Sequence, residues 1–404
     1  MTDTNVPRGS RVRLGMVEGN LRVEKNSTIE ADGVVQVAGI AQFTGNVQVV
    51  GDLRCRALES EDGRVQVSGN LEVEDRAEAD DGELEVGGRF KAGSVDVDQR
   101  LTLHGPAETG RLEVGGRLEA ESTVTSTRVS VGGRLRVAGK LTAESVEAGG
   151  AVDLAEVSLE EMEVGGLIRV ERGEVRRRIE VGGKFVSVGP LSFGEFEAGG
   201  FAEFRDSATG GSIDVGGVIT AAKDLTFTRL HVGGFGEIRG NGKGRDLEVG
   251  GRFGVGGSLS LTGTAEVGGR LSVGGPVEAE TLEIGGRFEA ERAVVRGRVE
   301  VGGVVATRSG LKAASIELGH RSSATGPLVG GRVQLNRKAS VEDIYGDVVE
   351  LDRDASARKV VAGDVSLGDG AVVGEVVYIR TLRVSPYAKV RASQQVAQLP
   401  PFPL

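Results

Sequence analysis

Between Val114 and Val131 the chain reads V-GG-R-L-E-A-E-S-T-V-T-S-T-R-V-S-V, and its apolar residues alternate with polar ones in short groups. Leu118 and Ala120 form one group, Val124 stands in a second, and Val129 and Val131 form a third. Alternation with period two over a few residues marks a strand with one buried face. A helix of useful length needs about ten or more uninterrupted residues, and the glycine pair breaks any such run. The pattern therefore predicts three short strands per repeat, separated by corners.

The repeat itself is marked by the glycine pair. Its first members are Gly115, Gly132, Gly149, Gly165, Gly182, Gly199, Gly216, Gly233, Gly250, Gly268, Gly285 and Gly302, spaced 16 to 18 residues apart. A fixed period of this size means units that stack and bury their apolar faces against their neighbours. With three strands to a period, the expected fold is all-β, a single-stranded triangular β-solenoid. Extra VGG triplets support three sides: Gly256 follows Gly250, and Gly274 follows Gly268, by one side's length. The longer steps from Gly87 to Gly115 and from Gly319 to Gly346 equal one coil plus two sides, so the glycine corner moves around the prism. Roughly 20 coils at about 4.8 Å each give a rod on the order of 100 Å long.

Two reasons favour glycine at the corner. A turn between strands suits a residue with positive φ, and stacked corners bring backbones close together. Gly115, Gly132, Gly149, Gly182, Gly216, Gly250, Gly285 and Gly302 are accordingly structural. Two residues before the pair the chain is acidic, as at Glu113, Glu147, Glu163, Glu180, Glu248, Glu266, Glu283 and Glu300, with Glu85 before Gly87. Two residues after the first glycine it is often basic, as at Arg117, Arg134, Arg252, Arg270 and Arg287. The expectation is an acidic column offset by a basic column around the corner. At Phe201, Val218 and Phe235 the basic position becomes apolar on consecutive coils, a candidate lateral contact if these side chains face outward. A one-residue slip would instead turn Phe201 and Phe235 inward, since Ala202 and Gly236 follow them.

Composition narrows the function. The chain has 66 glycines and 9 prolines in 404 residues without a triplet period, which excludes collagen. The absence of Trp and the 3 Tyr suit a core too thin for large rings. A net charge of -10 speaks against phosphate-neutralising nucleic-acid binding. No long apolar run suggests membrane insertion, the opening residues have no signal-like apolar segment, and Cys55 is alone, so a cytoplasmic location is expected. The central repeats vary too little in length to carry loops that could build a pocket, and His104, His231 and His320 are scattered. No catalytic, metal or cofactor site is expected, and no enzyme. The spacing departs from hexapeptide-repeat acyltransferases, and GGxGxD calcium repeats are missing.

The ends read differently. Residues 1–18 carry Arg8, Arg11 and Arg13 and are expected to form a flexible basic arm before a rod at 19–392. Residues 393–404 form an apolar, proline-rich tail, in which Leu399, Phe402 and Leu404 are candidates for an end cap or a polymerisation contact. Toward that end the coils become Tyr345-Gly346-Asp347-Val348-Val349-Glu350-Leu351, then Val361-Ala362-Gly363-Asp364-Val365-Ser366-Leu367, then Gly370-Ala371-Val372-Val373-Gly374-Glu375-Val376. Over residues 340–392 this wording resembles the bactofilins, polymer-forming cytoskeletal proteins. The resemblance implies a right-handed β-helix that self-associates end to end, without nucleotide, into filaments or a scaffold. The chain departs from it in being several times longer than a compact bactofilin domain and in showing no apolar membrane-targeting segment near its start. The alternative is a non-polymerising β-helical spacer that binds other proteins along its faces.

Overall fold

A computed structural model describes residues 2–403. Among them it contains 39 strands and no helix. Strands pair in parallel with strands about 17 residues away, and the fold is a β-solenoid of about 23 turns. The chain divides into two compact units, residues 1–199 and 200–404.

Three sides are plain in the second unit. Arg229–Val232, Phe235–Ile238 and Gly242–Gly244 make one turn. Asp246–Val249, Arg252–Val255 and Leu259–Leu261 make the next, each stacked on its counterpart. In the first unit Arg117–Ala120 pairs with Arg100–Leu103 on one side and with Arg134–Ala148 on the other. Because the register is fixed, like stacks on like: Leu118, Leu135, Val152 and Ile168 form one inward column, all buried. Each such side chain contributes about 1.5–3 kcal/mol by leaving water.

The core does take rings. Phe43, Phe90, Phe185, Phe196, Phe204, Phe253 and Phe288 are fully buried, and Phe185 meets Phe196 edge to face at 4.8 Å. Room comes from inward glycines in neighbouring turns. A Cβ on Gly236 would lie 2.3 Å from the Phe253 ring, and one on Gly244 would lie 2.3 Å from Phe227.

The corner glycines owe their place to one of the two expected reasons. Gly115, Gly132, Gly149, Gly182, Gly250, Gly285 and Gly302 do not have positive φ. A Cβ on Gly132 would meet the carbonyl oxygen of Gly115 at 2.2 Å, and the same holds for Gly149 on Gly132 at 2.4 Å, Gly285 on Gly268 at 2.4 Å and Gly233 on Gly216 at 2.5 Å. The corners are hydrogen-bonded from turn to turn, Gly132 N to Val114 O at 2.9 Å and Arg134 N to Gly116 O at 3.0 Å. Close stacking, not handedness of the backbone, excludes a side chain here.

Both expected termini need correction. Thr4–Val6 pairs with Leu21–Val23, and Arg11–Val17 pairs with Ser27–Thr44, so residues within 1–18 belong to the solenoid. The alternation R-V-R-L already encodes a strand: Val12 and Leu14 are half-buried, while Arg11 and Arg13 face out toward Glu30. At the other end Lys389–Gln395 pairs with Val372–Val384, carrying the stack past residue 392.

Candidate functional site

Among the described residues only short segments separate the strands, so a site has to be built from outward columns or from a solenoid end. One long outward column is acidic. In the first unit Glu59, Glu78, Asp96, Glu113, Ser130, Glu147, Glu163, Glu180 and Glu197 stack in register. In the second, Glu248, Glu266, Glu283, Glu300 and Glu317 do the same. The sequence pattern misses Glu59, Glu78 and Asp96, which precede no glycine pair. It misassigns Glu85, which stacks between Gln66 and Thr102 on a different side. The cause is migration of the glycine corner: Gly88 lies under Gly105, whereas Gly115 lies over Asp98.

Charge is not balanced around the corner as expected. Arg89 pairs with Glu108, Arg117 with Glu119 and Arg287 with Glu289, all away from the ladder. The ladder is bridged instead from its own side, two residues upstream. Arg76 joins Glu78 and Asp96 at 2.8 and 3.0 Å, Arg178 joins Glu180 and Glu197 at 2.9 and 2.6 Å, and Arg298 joins Glu300 and Glu317 at 2.7 and 2.8 Å. Residues i and i+2 share a face of a strand, whereas the corner carries the +2 residue onto another face. Partial burial raises the Glu78 carboxyl; Arg76 opposes this, and the neighbouring acids Asp80, Asp96 and Glu59 add to it.

Phe201, Val218 and Phe235 stack directly on one another, and Arg252 follows in the same column. They face outward: Phe235 is 41% exposed, Phe201 and Val218 are half-buried, and Ala202 and Gly236 fill the core.

At the C-terminal end of the solenoid the inward columns run out. Leu351, Leu367 and Val384 stack in register; Leu367 is 3% exposed but Val384 is 44% exposed. Val365 is buried while Leu382 above it is half-buried. The tail does not cover them. Phe402 instead lies 5.7 Å from Tyr345, ring centroid to ring centroid, and Leu399 is half-buried. Leu404 lies outside the described residues. The aspartates of the two Gly-Asp-Val repeats are clamped together: Arg380 reaches Asp347 at 2.7 Å and donates from Nε to Asp364 at 2.9 Å. These bonds hold the guanidinium pKa up and, with Thr381, the Asp364 carboxyl down.

The remaining reactive groups are dispersed. Cys55 is buried and free. His104 sits between Glu85 and Glu121, and His231 lies 3.4 Å from Glu248 in the acidic column. A groove of about 680 Å³ beside Asn5, Arg22, Gln42 and Glu59 is polar, and its side chains satisfy one another, Arg22 donating to Gln42 and Gln42 to Glu59 at 2.9 Å each. Among the described residues no group of three or more His, Cys, Asp or Glu side chains is arranged to hold a metal ion, and no helix is long and apolar enough to cross a membrane. No family model, curated protein or solved structure matches the chain.

Proposed function

We propose that the chain is a structural protein of bactofilin type that associates end to end, without nucleotide, into filaments or a scaffold. The observation that carries this reading is the open C-terminal turn. Among the described residues Lys389–Gln395 is paired on one edge only, and Val384 and Leu382 stand in core columns with no register partner on the next turn. An unpaired edge over an exposed core is a template for another parallel turn. The stack's last backbone hydrogen bond among the described residues is Val396 N to Tyr378 O at 2.9 Å, and Val384 remains 44% exposed beyond it.

Negative-stain electron microscopy of the purified chain, with Val384→Asp as the companion, tests this. Filaments that lengthen with protein concentration and shorten or vanish in the variant are expected. Discrete particles of one length at every concentration would exclude self-polymerisation. That outcome would favour a second reading, a spacer that binds proteins along its faces, which rests on the outward Phe201, Val218 and Phe235 column. In that case Phe235→Glu, in a side chain that contributes nothing to the core, abolishes partner capture while leaving stability unchanged.

A further inference from the structure

A second outward column breaks the polar pattern. Val329, Tyr345, Val361 and Val377 are register partners on successive turns, following exposed Lys312 and preceding Gln394. Alternation points them away from the core, because their neighbours Leu328, Ile344, Val360 and Val376 are the inward, buried residues. Yet Val361 is 0% exposed, and Val329 and Val377 are also buried. Something lies over them.

The chain's own tail returns to this column. The last strand ends in hydrogen bonds on the final turn, Val396 N donating to Tyr378 O at 2.9 Å. Phe402 then lies against Tyr345, a residue of the turn that Val361 and Val377 stack upon. Three turns are about 14 Å, and the residues between Gln395 and Phe402 reach over about 23 Å when extended. The chain therefore reverses and runs back along the column. Among the described residues, 397–403 make no hydrogen bond. Pro400, Pro401 and Pro403 have no N–H to give and hold the segment extended on their own. A segment attached by apolar contact alone, already stiff before it docks, loses little on leaving and returns cheaply.

We propose that this column is an exchangeable docking groove whose occupant is the 397–403 segment. It is taken from the same copy in the closed state and from a second copy when the strap lifts. The groove recognises an extended, proline-rich apolar peptide, with Tyr345 receiving the Phe402 ring. Lifting the strap bares the Val361 and Val377 column and ties one copy to the next by its tail. This inference stands apart from end-to-end joining, since a single peptide on a single chain reads it.

The test is fluorescence anisotropy of a labelled peptide of residues 396–404. Saturable binding is expected to the chain lacking 397–404. Binding to the full chain should be at least about tenfold weaker, because the tail in cis competes and leaves only the open fraction available. Full-length Phe402→Asp, which opens the strap without shortening the chain, should regain binding. Tyr345→Ala in the shortened chain should lose about tenfold. Absence of saturable binding to both the shortened chain and the Phe402→Asp chain overturns the proposal. Equal binding to the full and shortened chains, or binding indifferent to Tyr345→Ala, overturns it as well.

Discussion

The carbonyl oxygen of Gly115 lies 2.2 Å from the position a Cβ would take on Gly132. No real Cβ sits so close to backbone, so Gly132→Ala must push two turns apart at a corner that is hydrogen-bonded on both flanks. The expected cost is about 1–3 kcal/mol, in the range of overpacking a tight interior. Gly15 provides the control, since a Cβ there meets nothing within 4 Å and its φ is ordinary. Urea unfolding should show a clear loss for Gly132→Ala and little or none for Gly15→Ala. Equal effects would mean that chain entropy, not contact, explains the glycines.

The acidic ladder makes a salt-dependent claim. Arg298 is the one cation bridging Glu300 and Glu317 among the described residues. Removing it as Arg298→Gln leaves two carboxylates in register at strand spacing. The bridge is exposed, so the loss should stay below about 1 kcal/mol. It should narrow as salt rises from 0.05 to about 1 M, where the Debye length shrinks to roughly 3 Å. A loss that does not change with salt would point to packing of the arginine stem instead.

Much of the fold is legible in the alternation and in the glycine period, because a solenoid repeats one short-range rule: inward residues apolar, corners bare. What is not legible are relations that depend on which column a residue joins. Glu85 and Glu113 both stand two residues before a glycine pair, yet they lie on different sides because the corner moved between them. Val360 and Val361 are both buried valines, one in an inward column and one in an outward column, and no local pattern distinguishes them. Arg11 and Arg13 suggest an arm until their alternation with Val12 and Leu14 is given more weight than their charge. The Phe201, Val218 and Phe235 column depended on a one-residue register that small inward neighbours, Ala202 and Gly236, decide.

Cys55 stacks between Val37 and Val73 in an inward column. Burial, with a smaller contribution from the charge of Glu74, pushes its thiol pKa up to about 12. The thiolate is the nucleophile, so at pH 8 only about one thiol in ten thousand is reactive, against roughly a quarter for a free cysteine. A disulfide reagent should therefore leave the native chain unlabelled and react at the rate at which the surrounding turns open. Labelling of the folded chain as fast as a model thiol would contradict this burial.

His104 offers a pH-dependent test with a definite sign. Its Nδ1 lies 3.0 Å from Glu121 and its Nε2 3.1 Å from Glu85, so both ring nitrogens face carboxylates. The hydrogen bonds to Glu121 and then Glu85 raise its pKa above the ordinary 6.5, against a small opposing effect of burial. Burial alone would raise Glu85, but hydrogen bonds from His104 and Arg64 outweigh it and hold that carboxyl low. A histidine whose folded pKa exceeds its unfolded one stabilises fully below the unfolded value and loses that contribution as pH rises through the folded value. His104→Gln should thus be less stable than the parent by a few tenths of a kcal/mol at pH 6, the imidazole being largely solvent-screened. The difference should fade above the folded pKa, which nuclear magnetic resonance titration of the ring should place above 6.5. A difference that is flat with pH, or that grows toward alkaline pH, would mean the imidazole is held neutral between its two carboxylates.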